Sequence, residues 1–463
     1  MKLVWLKEMT EDKKITLRDY QETAIIKFEN NGRSGILDMA TGTGKTVTSL
    51  YAAKRHFEEK QRQFLIVIVP FLHLIDQWAK DFFNFDINYY LEIAYSKNSW
   101  VNKLDELIWE YNRGFRKRIV IIGSYKTMAT HDFQEKIKKI NEASFLIADE
   151  CHYLGSPQSR YNNFDSLEAR LGLSATPRRW WDEEGTEAVN HLFKGIVYSF
   201  PMKQAIDERI LTQYEYYPIV TNLTLDETNK YQHLSKKISG LISKKSRNEV
   251  EEERLKSIIL QRTTIIQNAE LKQELLIKYL HQQKDKKHTL VYCGKGQVDK
   301  IVAEISKLGI RVHRFNAEIH FHEREQILKQ FDIGEIEVLV AIKCLDEGVD
   351  VPSTRVAYFL SSTSNPREFI QRRGRILRRA SGKDSASIYD FVVLPEGEEK
   401  SASIFKSIAS KELPRFAEFS QFALNEYSAR EQIIPYLDHY HLTHLMDVTS
   451  WEMYELIKKE GEF

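Results

Sequence analysis

The chain has 463 residues and a mass of 54.4 kDa, more than a single hydrophobic core usually serves, so two to four structural units are expected. With 42% hydrophobic and 29% charged residues it falls outside the disordered and low-complexity classes, and it has neither an apolar run long enough for a transmembrane helix nor a signal-peptide-like start. Lys and Arg number 67 and Asp and Glu 66, a formal charge of +1 without the basic excess of a sequence-specific DNA-binding domain; the three cysteines (Cys151, Cys293, Cys344) lack CxxC spacing, which excludes a disulfide framework, argues against zinc and fits a reducing cytoplasm.

In chain order, short apolar runs at residues 35–38, 64–70, 118–124 and 145–149 end in polar or turn residues, with amphipathic stretches at 21–30, 47–59 and 72–83 between them. Apolar runs that do not alternate indicate strands buried on both faces, which predicts a parallel α/β sheet. Residues 223–282 differ: they are rich in Lys, Glu and Gln, contain one glycine, Gly240, and read as helices. Strand-like runs return at 289–293, 311–315, 338–342, 356–360 and 387–392, and the remainder reads as helices interrupted at Pro414 and Pro435. Charge is uneven: residues 367–379 hold six Arg against one Glu, whereas 396–463 hold 13 acidic and 7 basic residues. Local basic strips within a balanced total suit contact with a polyanion over a limited surface. The predicted organisation is an α/β chain with two tandem parallel-sheet domains, 1–221 and 289–395, a helical insertion at 222–288 and a helical tail at 396–463.

Two motifs carry chemistry. Ala40-Thr41-Gly42-Thr43-Gly44-Lys45-Thr46 follows a predicted strand and precedes a predicted helix, the context of a phosphate-binding loop. Glycines let backbone N–H groups converge on phosphate oxygens, and the helix N-terminus adds partial positive charge. Lys45 would bridge the β and γ phosphates and Thr46 would hold Mg²⁺. The first glycine of the general pattern is Met39 here. Asp149-Glu150-Cys151-His152 ends another strand, at the edge where ligands of open α/β sheets bind. Asp149 would coordinate Mg²⁺ and Glu150 would polarise the attacking water. His152 reads as a metal ligand, a core histidine or, best, a link to a neighbouring motif; Cys151 reads as a packing residue.

With Leu173-Ser174-Ala175-Thr176-Pro177, these motifs resemble motifs I, II and III of superfamily 2 helicases and translocases. The resemblance extends through residues 338–352 (motif V), Gln371-Arg372-Arg373-Gly374-Arg375-Ile376-Leu377-Arg378 (motif VI), Leu17-Arg18-Asp19-Tyr20-Gln21 (the adenine-reading segment), residues 70–78 (motif Ia) and 289–294 (motif IV). The Asp-Glu-Cys-His box and residues 200–218 are similar to the group containing XPB, phage UvsW and restriction-type motors.

The resemblance implies two RecA-like domains, ATP and Mg²⁺ as cofactors, and a site shared between the halves. It places Arg18 and Gln21 at the adenine, Thr41 to Thr46 around the phosphates, Arg375 and Arg378 on the γ-phosphate as arginine fingers, and Gly348 and Asp350 at the second domain's edge of the cleft. Ser174, Thr176, His152 and Gln371 would couple that cleft to a nucleic-acid surface, with Lys126, Thr127 and Lys343 as backbone contacts. Two readings stand for Arg178-Arg179-Trp180-Trp181: a grip on the nucleic-acid backbone with base stacking, or tryptophans packing the lobe surface. Residues 223–282, with Lys236, Lys237, Lys244, Lys245 and Arg247, resemble a thumb over duplex DNA, or else form a linker or cap. The acidic tail would pack on the second lobe or dock a protein partner. The expected activity is ATP-dependent helicase action or translocation on DNA, in the cytoplasm and without a membrane partner. An RNA helicase and a regulatory ATP-binding module are the alternatives.

Overall fold

The computed structural model describes every residue except 1–2, 6–15, 95–96, 161, 163, 245, 247, 317–318, 343–350, 363–364, 395–401 and 461–463. Lys343, Gly348, Asp350, Lys245, Arg247 and Cys344 therefore lie outside the described residues. The chain divides into two units, residues 1–208 and 209–463.

Unit 1 is built on eight strands: β1 (Leu3–Trp5), β2 (Ser34–Met39), β3 (Gln63–Val69), β4 (Tyr89–Ile93), β5 (Arg118–Ser124), β6 (Ser144–Asp149), β7 (Ala169–Ser174) and β8 (Ile196–Phe200). Their order is β1-β4-β5-β3-β6-β7-β2-β8, parallel throughout except for the β1–β4 pair. All seven residues of β3 are buried, as its unbroken apolar run predicts for a central strand covered on both faces. The register aligns Asp149 with Leu173 and Asp38 with Ser174, so β6, β7 and β2 end in line. That shared edge is where the motif residues meet.

Unit 2 has six strands: β9 (Gln213–Thr221), β10 (Thr289–Tyr292), β11 (Val312–Phe315), β12 (Val338–Ala341), β13 (Val356–Phe359) and β14 (Ser385–Val393). The order is β11-β12-β10-β13-β14-β9, and every pair is parallel. This corrects the expected boundary at residue 221. The β9 strand pairs with β14 along its whole length, because Tyr214, Tyr216 and Ile219 bury in the second core. The open edge of β9 is blocked by a side chain: the Asn425 amide accepts from Tyr216 N at 2.8 Å and donates to Tyr216 O at 2.9 Å, in place of a further strand. Pro218 adds a position with no N–H to offer.

The expected insertion, 222–288, is also divided. The helix Glu270–Gln282 sends Leu276 and Leu280 into the core of sheet 2 and belongs to the lobe itself. The helices Leu225–Ile242 and Glu249–Gln267 pair through Ile238, Leu255 and Ile258, and each opens with a capping box, Thr224 with Glu227 and Asn248 with Glu251. The tail is not a separate layer either. Its helix Ala402–Ser420 packs on the end of β14, where Arg415 joins Asp390 at 2.9 Å and Glu412 at 3.0 Å, all three buried. Removing one partner from such a cluster leaves an uncompensated buried charge, at about 3–5 kcal/mol. Among the described residues no helix is long and apolar enough to cross a membrane.

Candidate nucleotide site and its relay

The loop after β2 turns through two glycines with positive φ, Gly42 (+87°) and Gly44 (+81°), and Gly44 caps the helix Lys45–Lys60. A Cβ on Gly44 would come within 2.7 Å of the Gln21 amide nitrogen, so this glycine also admits a close neighbour. The Lys45 ammonium donates to Met39 O at 2.9 Å, folding back over its own loop. Thr41 Oγ1 is buried with no hydrogen-bond partner among the described residues. The Thr43 hydroxyl donates to Ala40 O at 2.7 Å and stiffens the turn. Thr46 follows Lys45 in the first helical turn, half-buried.

The segment upstream is wired into this loop. Tyr20 O–H donates to Thr43 O at 2.7 Å, and its ring stacks on Phe200 with centroids 4.0 Å apart. The Gln21 amide oxygen accepts from Arg18 N at 3.0 Å, and its nitrogen donates to Gly44 O at 3.3 Å. The structure thus employs Gln21 in joining the first helix to the phosphate loop, using one donor and one acceptor of the amide proposed to read adenine. Arg18 is exposed beside it.

Asp149 ends β6, and its carboxylate accepts from Trp78 Nε1 at 3.1 Å, while its backbone carbonyl accepts from Tyr125 O–H at 2.6 Å. Burial, reinforced by the adjacent Glu150 charge, pushes the Asp149 carboxyl up to about 6, with Trp78 and the nearby Lys45 ammonium pulling the other way. Burial also raises Asp38, which accepts from Ser199 Oγ at 3.1 Å. Neither Trp78 nor Tyr125 is marked in the sequence as a partner of Asp149. Glu150 adopts a left-handed conformation, φ +50° and ψ +55°, at the start of a 3₁₀ turn. A non-glycine residue in this region carries backbone strain.

Glu150 Oε2 lies 3.4 Å from both Ser174 Oγ and His152 Nδ1, and those two atoms are themselves 3.4 Å apart. Thr176 N donates to Ser174 Oγ at 3.1 Å. The His152 link between motifs is thus present in space, with all of His152, Ser174 and Thr176 buried. Cys151 packs against Gly172, where a Cβ would meet its sulfur at 3.0 Å.

Arg179 requires a correction. Its guanidinium donates to His152 O at 2.6 Å and to Asp182 Oδ2 at 2.7 Å, fastening the turn after β6 to the helix Glu183–Phe193. It is employed inside the lobe rather than offered to a nucleic acid. Trp181 is 43% exposed and meets Trp180 edge-on, at 5.9 Å between centroids. Lys126 is exposed in the short helix Tyr125–Met128, and the Thr127 hydroxyl lies 3.1 Å from Ser124 Oγ.

In unit 2, Gln371 and Arg375 are buried within the helix Pro366–Ile376, and Arg378 follows its C-terminus, half-buried. Two α/β units, one with a phosphate loop and a carboxylate pair and the other with an arginine helix, define a RecA-like nucleoside-triphosphatase motor.

Comparison with known proteins narrows that class. Residues 14–179 match the family model for the res subunit of type III restriction enzymes, and residues 271–380 match the helicase conserved C-terminal domain. The chain is 28% identical over 388 residues to a DNA 3'-5' translocase, XPB2, of Sulfurisphaera tokodaii, covering 79% of each chain. It is 25% identical over 384 residues to a DNA 3'-5' helicase, XPB, of Mycobacterium tuberculosis, covering 81% of this chain and 60% of that one. Among solved structures it is similar in fold to the DNA-bound type ISP restriction-modification enzyme LlaBIII, with a TM-score of 0.61, 16% identity, and coverage of 94% of this chain and 33% of that one. It is also similar to the Hef helicase domain of Pyrococcus furiosus, with a TM-score of 0.50, 17% identity, and coverage of 84% and 98%. Together these matches make the chain similar to the ATP-hydrolysing helicases and translocases of superfamily 2.

Proposed function

We propose that the chain couples ATP hydrolysis to movement along DNA, as a duplex translocase or helicase. The observation that carries the reading is the single edge of sheet 1 that gathers the glycine loop, Asp149 and Glu150, with Glu150 joined through Ser174 to Thr176. The backbone N–H groups of residues 42–46 and the Lys45 ammonium would hold the β and γ phosphates. The buried Thr41 hydroxyl, without a partner among the described residues, and the positive-φ glycines fit such a ligand.

Thr46 and Asp149 are the residues that would hold Mg²⁺. One hydroxyl and one carboxylate suit an ion that takes the rest of its shell from phosphate and water. Bound there, the ion offsets phosphate charge and polarises the γ-phosphoryl group. Glu150 orients the attacking water and accepts its proton, while Ser174 and His152 fix the carboxylate. Arg375 and Arg378 stabilise the charge that builds on the transferring phosphoryl group. Gly348 and Asp350 are proposed near the nucleotide on the family resemblance alone.

The DNA reading is supported by the activities named for the translocase and helicase relatives. Lys126, Thr127, Arg178 and Lys343, with the exposed Lys236 and Lys237, are proposed as backbone contacts, so binding follows counterion release and is largely sequence-independent. A cytoplasmic site of action is proposed from the sequence, whose three cysteines lack CxxC spacing.

The test is ATP turnover with duplex DNA, single-stranded DNA and RNA, each at two salt concentrations. Duplex-stimulated turnover that weakens with salt is expected. Selective stimulation by RNA would make the chain an RNA helicase, and turnover indifferent to all three would favour a regulatory ATP-binding module.

A further inference from the structure

The acidic C-terminal stretch carries no motif, yet its helix Ala402–Ser420 sets Glu412, Arg415 and Glu418 at three-residue intervals. The first two close on sheet 2. Glu418 reaches another element. Its carboxylate accepts from Arg373 Nη2 at 2.6 Å, and its carbonyl accepts from Arg373 Nη1. Tyr214 O–H lies 3.4 Å from the same Nη1, and the guanidinium rests 5.1 Å from the centre of the Phe419 ring.

Arg373 is fully buried, so its charge depends on these partners. It stands in the helix Pro366–Ile376, two residues before Arg375 and five before Arg378. The neighbouring Arg372 donates to Ser361 O at 2.9 Å and lies 4.8 Å over the Tyr292 ring. Beyond the helix, the buried Lys383 ammonium donates to the carbonyls of Ile376, Arg378 and Pro352, closing its C-terminal end. The helix is pinned from three directions, and the C-terminal helix supplies one of them.

We propose that Glu418 is a positioning residue for ATP hydrolysis. By fixing Arg373 it fixes the roll of the helix that presents Arg375 and Arg378. The inference rests on the reading of those two arginines as γ-phosphate ligands. Successive helical residues are about 100° apart, so a helix that rolls to relieve an unpaired Arg373 carries Arg375 with it. A guanidinium misplaced by about 1 Å costs up to about a hundredfold in rate. The C-terminal stretch thereby becomes part of the hydrolytic machinery of its own lobe.

The experiment is steady-state ATP kinetics of the full chain with saturating duplex DNA, alongside thermal unfolding. E418A is expected to lower kcat by about tenfold while KM for ATP and the Kd for DNA stay within about twofold. E418Q, which keeps a neutral acceptor, should fall between E418A and wild type. N425A removes an anchor of the same C-terminal segment to β9 at Tyr216 without removing any partner of Arg373, and should lower Tm with kcat unchanged. Wild-type kcat in E418A overturns the proposal, as do kcat losses in E418A and N425A that simply track their losses of Tm. Should E418A fail to fold, E418Q decides: a reduced kcat supports the proposal and a wild-type kcat overturns it. R375A run in parallel separates the two levels. If R375A is crippled and E418A is unaffected, only the positioning role falls; if R375A turns over normally, the underlying reading falls and the proposal with it.

Discussion

The two units hold their functional groups in opposite ways. In unit 1 the phosphate loop is shaped by backbone: two positive-φ glycines, a hydroxyl on Ala40 O and a lysine folded onto Met39 O, all within a few residues of one another. Beneath it lies an apolar sheet whose central strand is buried from end to end. In unit 2 the arginine helix is held by buried charges from distant parts of the chain, Arg373 by Glu418 and the neighbouring sheet by Asp390, Glu412 and Arg415. A phosphate loop must offer N–H groups to a ligand, so its geometry is local. An arginine helix must hold long cationic side chains in place, and only long-range partners fix its roll. The contrast teaches that a lesion in unit 1 should act on chemistry first, and one in unit 2 on architecture first.

Breaking the comparison starts with the largest effect. Arg415→Met strands Asp390 and Glu412 without their shared cation, and urea denaturation should show a loss of about 3–5 kcal/mol. A loss confined to a few tenths would mean that the buried cluster does not hold the C-terminal helix. Lys45→Ala is the matching lesion in unit 1: turnover should drop by about 10²–10³-fold with the unfolding midpoint nearly unchanged. A large stability loss in that variant would erase the distinction between the units.

A third effect sharpens the view of unit 1. His56 is buried at the base of its sheet with Glu168, Lys60, Arg33 and Glu59 nearby, and burial lowers its pKa to about 4 from an ordinary value near 6.5. The unfolded chain takes up this proton first. Stability is therefore unaffected above the unfolded value, falls as pH drops from about 6.5 to about 4, and then levels, with a total on the order of 3 kcal/mol. Comparing the stability–pH curves of wild type and His56→Gln isolates this contribution; superimposable curves would remove it. The smallest effect is at Tyr20. Tyr20→Phe keeps the stack on Phe200 and loses the hydrogen bond to Thr43 O, so KM for ATP should rise by roughly fivefold, about 1 kcal/mol, at constant stability. An unchanged KM would mean that the loop does not need this brace.

The same contrast explains what could be read in the sequence. The strands at 118–124 and 145–149 and the glycine loop were legible because their signals are contiguous: an apolar run, a turn, a helix start. A link from His152 to a neighbouring motif is one of three readings; its contact with Ser174 is seen only in the structure. Trp78 and Tyr125 on Asp149 were hidden, because their contacts span 71 and 24 residues and no local pattern marks them. The expected division places β9 in the wrong lobe for the same reason, since its partner β14 lies over 160 residues on, beyond four other strands. Arg179 shows the limit of charge as a signal. In sequence a basic pair beside two tryptophans suits a polyanion, but in space Asp182 and His152 O claim the guanidinium. The net acidity of the tail likewise hides the ion pairs that join its helix to the second lobe.

The central claim is that Glu150 activates water at a nucleotide held by Lys45 on a DNA-driven motor, and Glu150→Gln tests it most directly. The measurement is ATP binding and single-turnover hydrolysis with duplex DNA present. The account predicts that the variant binds ATP as tightly as wild type and hydrolyses it at least about a hundredfold more slowly; hydrolysis at the wild-type rate would contradict it.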